Sequence, residues 1–136
     1  MKVNDLRVGN FIYSDIVNEV GEDSAELIKV DADLIWNLEK KPLEASKGLF
    51  GIPLNETWLK KYGFTRENEE YFIWRHKYFG PFRILYDGLI DHWQVGYSGG
   101  RVFKRIKYLH DLQNIYFAFT GFELEIQLID FDQVDL

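Results

Sequence analysis

Cysteine is absent from the 136 residues, and proline occurs only three times. Without cysteine the chain has no disulfide framework, no zinc site with thiolate ligands and no cysteine nucleophile. No apolar run approaches the roughly 20 residues that a membrane-spanning helix requires. The first residues also lack the apolar stretch of a secretory signal. We therefore expect a cytoplasmic protein that does not enter a membrane.

Motifs for nucleotide binding and for hydrolysis are also missing. Gly96, Gly99 and Gly100 lie close together, but they have neither the lysine and hydroxyl residue of a P-loop nor the Rossmann spacing. There is no nucleophile elbow. No cofactor and no catalytic residue are therefore expected, and the missing motifs argue against an enzyme.

Aromatic residues are abundant, with 4 Trp, 8 Tyr and 11 Phe making up 17% of the chain. Aromatic side chains favour pleated, half-buried positions, which indicates a sheet-rich protein with a bulky core. They could equally form a binding surface. The 46% apolar content is enough for the core of one domain.

Charge is distributed unevenly along the chain, whose overall net charge is −6. Residues 1–57 carry a net charge of −5, residues 58–110 carry +5 and residues 111–136 carry −6. One interpretation is that these segments neutralise one another on the folded surface. The other is an exposed basic face that binds an acidic partner. The negative total argues against strong binding to nucleic acid.

Short apolar stretches separated by turn residues fill the N-terminal part. They are residues 10–14, 16–20, 25–30 and 34–38. Closely spaced short strands predict a curled antiparallel sheet or a partial SH3-like barrel, with a helix as the alternative for residues 32–38. Residues 39–53 contain two prolines and two glycines without a clear period, which predicts a connection and a subdomain seam.

The central helix has readable ends. Asn55 can cap the first turn of a helix over residues 56–62. Gly63 can adopt the left-handed conformation that closes a Schellman motif, with Phe64 packing back on Leu59.

A meander and a second helix follow. The predicted strands are residues 71–75, 82–86, 93–97 and 101–106, joined by turns rich in Gly, Pro and Asp. Apolar residues then recur at three and four positions, which predicts an amphipathic helix packed against the meander. Its buried stripe is Leu109, Leu112, Ile115, Tyr116 and Phe119. Gly121 is predicted to end this helix, with Phe122 packing back on Phe117. Residues 124–128 alternate as in a final strand.

Three blocks carry a resemblance to a known group of proteins. They are residues 4–11 (NDLRVGNF), 51–64 (GIPLNETWLKKYGF) and 106–121 (IKYLHDLQNIYFAFTG). Together they resemble a group of uncharacterised small proteins of Bacteroidetes genomes, often encoded in prophages or other mobile elements. The group usually has glutamine where this chain has Asp111. The resemblance implies no activity, substrate or catalytic residue.

One set of residues has the chemistry of a metal or acid–base site. Imidazole and carboxylate groups are suitable ligands, and the set is His76, Asp87, Asp91 and His92. The spacing is not diagnostic, and an ordinary solvated hairpin is the favoured interpretation.

Two further groups of polar residues are candidates for binding. His110, Asp111, Gln113 and Asn114 form a polar helix face, which could present a hydrogen-bonding patch, although an ordinary solvated or helix-packing face is favoured. Residues 75–107 interleave cations with aromatics, as in proteins that hold single-stranded nucleic acid. Alternation along the strands instead predicts buried aromatics and outward cations. The candidate binding surface is Arg101, Lys104, Arg105, His110, Gln113 and Asn114.

The sequence thus predicts one α+β domain over residues 1–136, with a β-rich subdomain at 1–52 and an α+β subdomain at 53–136. The leading functional hypothesis is a non-catalytic accessory protein that binds another protein. A nucleic-acid-binding module that uses residues 75–107 is the alternative, and a hydrolase using His and Asp is third.

Overall fold

The computed structural model describes residues 5–17, 23–67, 73–88, 92–97 and 102–126. This part of the chain forms helices and two antiparallel sheets, which confirms the predicted α+β class. The strands are β1 (Phe11–Val17), β2 (Asp23–Lys29), β3 (Leu49–Phe50), β4 (Thr65–Arg66), β5 (Ile73–Arg75), β6 (Phe82–Asp87), β7 (His92–Tyr97) and β8 (Val102–Ile106). The helices are α1 (Ala32–Lys40), α2 (Pro42–Ala45), α3 (Glu56–Lys61) and α4 (Leu109–Thr120). Within these ranges no helix is long and apolar enough to cross a membrane.

Two compact units divide the chain. The first comprises residues 1–53 and 108–114, and the second comprises residues 54–107 and 115–136. The break after Pro53 lies at the end of the predicted seam. The beginning of α4 belongs to the first unit and the remainder to the second. The first unit therefore includes residues 108–114, which the sequence-based division assigned to the subdomain at 53–136.

The first unit contains an open three-stranded sheet in the order β2-β1-β3. β1 pairs with β2 along its whole length and with β3 near its middle. The core beneath one face consists of Leu6, Ile12, Val30 and Leu38. The predicted antiparallel sheet is present, but it does not close into a barrel. Residues 18–20 of the predicted second strand lie outside the described residues.

Residues 34–38 are helical, as the alternative interpretation had it. The carboxylate of Asp31 accepts a hydrogen bond from the Leu34 backbone N–H at 2.8 Å and caps α1. Lys40 lies in the last turn, where a cation is favoured by the helix dipole. These end effects outweigh the strand preference of a short apolar run. The predicted connection at 39–53 also contains order, namely α2 and β3.

Helix α3 confirms the capping prediction at both ends. The Asn55 side chain accepts the Trp58 N–H at 3.0 Å. Gly63 has φ 85°, its N–H bonds to the Lys60 carbonyl, and the Phe64 N–H bonds to the Leu59 carbonyl. These two hydrogen bonds define a Schellman motif.

The second unit contains a five-stranded antiparallel sheet in the order β4-β5-β6-β7-β8. The predicted meander is therefore confirmed for its described strands, and the short β4 extends it by one strand. Residues 71 and 72 lie outside the described residues, as does Arg101. Residues 123–126 are irregular, so the predicted final strand is wrong there, and residues 127 and 128 are not described.

Four members of the predicted stripe of α4 are buried, but Phe119 is 46% exposed. At the start of the helix the Asp111 carboxylate accepts the Tyr108 N–H at 2.9 Å, which is the reciprocal half of a capping box. At the end Gly121 has the predicted positive φ, 76°. Phe122 is 74% exposed instead of packing back on the helix.

Candidate functional site

A polar clamp in the first unit consists of Arg7, Asn10, Gln113 and Asn114. The Gln113 side chain accepts the Phe11 N–H at 2.8 Å and donates to the Gly9 carbonyl at 3.2 Å. The Asn114 carbonyl oxygen accepts from Asn10 Nδ2 at 2.8 Å and from Arg7 Nε at 3.2 Å.

The clamp joins two of the sequence blocks that carry the resemblance, residues 4–11 and 106–121. Gln113 is 1% exposed, and Asn114 also donates to the Asp5 carbonyl at 2.7 Å. Gln113 is buried and Asn114 is half-buried, so this part of the polar helix face packs against the loop before β1 and is not an exposed patch. Their hydrogen-bonding capacity is used to hold the loop that leads into β1.

His110 is buried in the same unit, and neither ring nitrogen has a hydrogen-bond partner. Its ring stacks on Tyr108 with centroids 5.3 Å apart. A carboxylate oxygen of Asp111 lies 3.7 Å from Nε2. Burial lowers the pKa of His110, and Asp111 partly opposes that shift. The imidazole therefore favours its neutral form in the folded protein.

The cations of the candidate surface do not share one face. On β8, Lys104 lies opposite Val95 and Arg105 lies opposite Gln94, and both cations are exposed. Successive side chains of a strand point to opposite faces of the sheet, so these two point away from each other. Arg101 lies outside the described residues. Within the first unit, His110 and Gln113 are buried and do not form an exposed binding surface.

The candidate metal or acid–base set is divided between the two ends of the second sheet. Asp87 and His92 are direct partners across β6 and β7. His76 follows β5 near Phe82, five residues along β6 from Asp87, which is about 17 Å of strand. Asp91 is not described. No group of three or more metal-ligating residues occurs in the described ranges.

An aromatic cluster fills the second unit between α4 and the sheet. Phe82 stacks on Phe119 with centroids 4.4 Å apart and an interplanar angle of 16°. Phe79 contacts Tyr116 at 5.6 Å, and His76 meets Tyr116 edge to face at 5.3 Å. The predicted packing of the C-terminal helix on the meander is made by these rings.

An open pocket of about 520 Å³ lies beside this cluster, at the C-terminal end of α4. Its walls are mainly aromatic, and two carboxylates lie among them. The lining residues are His76, Tyr78, Tyr116, Phe119, Thr120, Phe122, Glu123 and Glu125. We call this feature the α4 pocket. It has the size and mixed lining of a site for a small ligand or a peptide side chain.

His76 and Tyr116 are the buried part of the wall, with 5% and 4% exposure. His76 Nδ1 accepts the Tyr78 N–H at 3.1 Å, which holds the imidazole in place. Burial lowers the pKa of His76, and a hydrogen bond to the Tyr62 backbone opposes this. Burial raises the pKa of Tyr116, and Glu125 raises it further. The wall therefore favours a neutral imidazole and a neutral phenol at pH 7.

Tyr78, Phe119 and Phe122 form the accessible part of the wall, and they are 65%, 46% and 74% exposed. The Thr120 hydroxyl bonds back to the Tyr116 carbonyl at 2.8 Å and accepts the Phe122 N–H at 3.1 Å. With Gly121 at positive φ, these bonds turn the chain out of α4 and along the pocket. The end of the helix therefore positions Phe122 at the rim.

None of the lining residues of the α4 pocket belonged to the sequence-based binding surface. Phe119 was assigned to a buried stripe and Phe122 to a helix cap, because periodicity and capping signals do not show that a pocket opens beside the helix end. The available signal was the pair Glu123 and Glu125, which follows an aromatic helix end in a chain segment without cations.

Comparison of the chain with protein-family models, with curated proteins and with solved structures gives no match.

Proposed function

We propose that this chain is a non-catalytic accessory protein of a phage or other mobile element, and that it binds another protein through the α4 pocket. The observation that carries the proposal is the combination of a 520 Å³ pocket with exposed aromatic side chains on its rim. Large exposed aromatic residues around a concavity are typical of interaction sites, where they act as anchors for a partner. The cytoplasmic location expected from the sequence is part of this proposal.

Enclosure of His76 and His110 supports a binding role over a hydrolytic one. His76 is held between rings and a backbone N–H, and His110 is buried against Tyr108. A general base must come within hydrogen-bond distance of the group it deprotonates. Both imidazoles pack against aromatic rings, and only a small part of the His76 ring is exposed at the pocket.

A nucleic-acid-binding module remains the alternative, and the sheet gives it less support. Arg75, Arg83 and Arg105 share one face of the second sheet, whereas Tyr86 and Trp93 lie on the other face with the core. Stacking and phosphate contacts would thus come from opposite sides of the sheet. Arg83 is also paired with a carboxylate.

Site-specific photo-crosslinking tests the proposal. Phe122 is replaced by benzoylphenylalanine in the full-length protein, the cells are irradiated, and the products are identified by mass spectrometry. We expect one dominant adduct with a single protein. The matched control carries the same group at Leu43, an exposed apolar residue of α2 in the first unit, and should not give that adduct. The same adduct from both positions, or crosslinks to nucleic acid from Phe122, would overturn the proposal.

A further inference from the structure

We infer that the α4 pocket binds an arginine side chain of the partner protein. This inference rests on the proposed function and specifies the group that enters the pocket. Three features of the second unit favour a planar cation there: aromatic ring faces, two carboxylates, and the negative end of helix α4, whose last turn has no basic residue.

The aromatic rings provide the surface on which a guanidinium stacks. Tyr78, Phe119 and Phe122 are partly exposed at the pocket, and Tyr116 forms a buried wall. Cations are attracted to the electron-rich faces of such rings, and the flat guanidinium of arginine stacks on them better than the ammonium of lysine. Tyr78 already accepts a cation in this way, because Lys77 Nζ lies 4.8 Å from its ring centroid.

The carboxylates supply the opposite charge. Glu123 and Glu125 line the pocket and are exposed. Glu125 contributes to the raised pKa of Tyr116, so its negative field reaches the pocket wall. Among the residues that line the pocket, these two glutamates are the charged ones, and Lys77 lies over the Tyr78 ring. An arginine whose aliphatic stem packs against the rings can donate hydrogen bonds from its guanidinium group to a carboxylate.

The helix end adds to this preference. A helix C-terminus carries a partial negative charge that favours cations. Helix α1 has Lys40 in its last turn, and α3 has Lys60 and Lys61. The last turn of α4 contains no basic residue, although α4 is the longest of the described helices. The last turns of α1 and α3 thus contain cations, whereas those of α4 and of the short α2 contain none, and at the α4 pocket a bound arginine would supply the missing positive charge.

Nuclear magnetic resonance titration of the full-length ¹⁵N-labelled protein tests the inference. The probes are the acetyl and methylamide derivatives of arginine, lysine, citrulline and norleucine. Citrulline has nearly the shape of arginine without its charge, and norleucine keeps only an apolar stem. We expect arginine to shift the backbone amides of Tyr78 and residues 120–125, with a Kd at least fivefold below that of citrulline. The difference in Kd between arginine and citrulline should be smaller at 500 mM than at 50 mM salt, because salt screens the electrostatic interaction.

Paired variants locate the charge that is responsible. Glu123→Gln combined with Glu125→Gln should reduce the preference for arginine over citrulline to less than twofold. Glu44→Gln, at an exposed acidic position of α2, should leave it unchanged. Both sets of substitutions are at exposed positions, and unchanged amide spectra outside the pocket verify that the variants fold.

The outcomes separate this inference from the proposed function. Equal binding of arginine, citrulline and norleucine would overturn the inference and leave the pocket as an apolar docking site. Binding of lysine as tight as that of arginine would refute the argument from planar stacking. Absence of pocket shifts with all four probes would contradict the inference, whereas crosslinking from Phe122 would still test the proposed function independently.

Discussion

Gln113→Met tests the polar clamp with little change in side-chain volume. Gln113 is 1% exposed and satisfies two backbone groups, the Phe11 N–H and the Gly9 carbonyl. Methionine has a similar length but no comparable donor or acceptor. Leaving a buried backbone group without a partner costs about 1 to 3 kcal/mol. Because both hydrogen bonds are only partly buried, the low end of that range applies to each group, and the expected loss for the two groups together is about 2 kcal/mol.

Urea titration followed by tryptophan fluorescence gives the free energy of unfolding of the variant. The control is Asn37→Ala, which removes an exposed amide from α1 in the same unit and should change stability by less than about 0.5 kcal/mol. Hydrogen exchange provides a local readout, since the Phe11 amide should exchange faster relative to other protected amides in Gln113→Met. A loss below about 0.5 kcal/mol with unchanged exchange at Phe11 would refute the clamp as a stabilising device.

Three further predictions concern packing, capping and pH. Leu112→Ala should cost about 2 to 5 kcal/mol in the same titration, because Leu112 is fully buried; a loss under 0.5 kcal/mol contradicts this. Gly63→Ala and Gly121→Ala should each cost about 1 kcal/mol, because Cβ is crowded at positive φ. Gly88→Ala, where Cβ would meet only an ordinary contact at 3.7 Å, is the control, and equal effects would refute the argument. Burial lowers the pKa of His110 in the folded state, so the free energy of unfolding should be greatest above about pH 6.5 and should fall below that pH by at most about 1.4 kcal/mol per pH unit. In His110→Phe the fall between pH 7.5 and 5.5 should be smaller than in the wild-type chain. An equal fall in both proteins would contradict the role of His110.

The parts of the fold that follow from local chemistry could be predicted. Asn55 and Gly63 define α3 because a cap and a left-handed residue act within one helical turn. The meander strands followed from short aromatic and β-branched runs between turns. In contrast, the sequence of residues 34–38 is compatible with both a short apolar strand and a helix. The Asp31 cap favours the helix, but its contribution could not be weighed against strand propensity beforehand.

The candidate site was less predictable because it depends on contacts distant in sequence. Gln113 belongs to a polar helix face, and only its position 102 residues from Phe11 shows that this face is used internally. The α4 pocket likewise combines Tyr78 with residues more than 35 positions away along the chain. Hydrophobic periodicity predicts which face of a helix is buried, but it does not show that Phe119, which stacks on Phe82, also lines a pocket and stays 46% exposed.

The affinity for the protein identified from the Phe122 crosslink is the most direct test of the account. Isothermal titration calorimetry compares the wild-type chain with Phe122→Ala and Leu43→Ala, two truncations of exposed apolar residues in different units. If the α4 pocket is the binding site, Phe122→Ala should raise the Kd at least tenfold, which corresponds to about 1.4 kcal/mol, while Leu43→Ala leaves it within twofold. An unchanged Kd for Phe122→Ala, or an equal loss in both variants, would contradict the proposed role of the pocket.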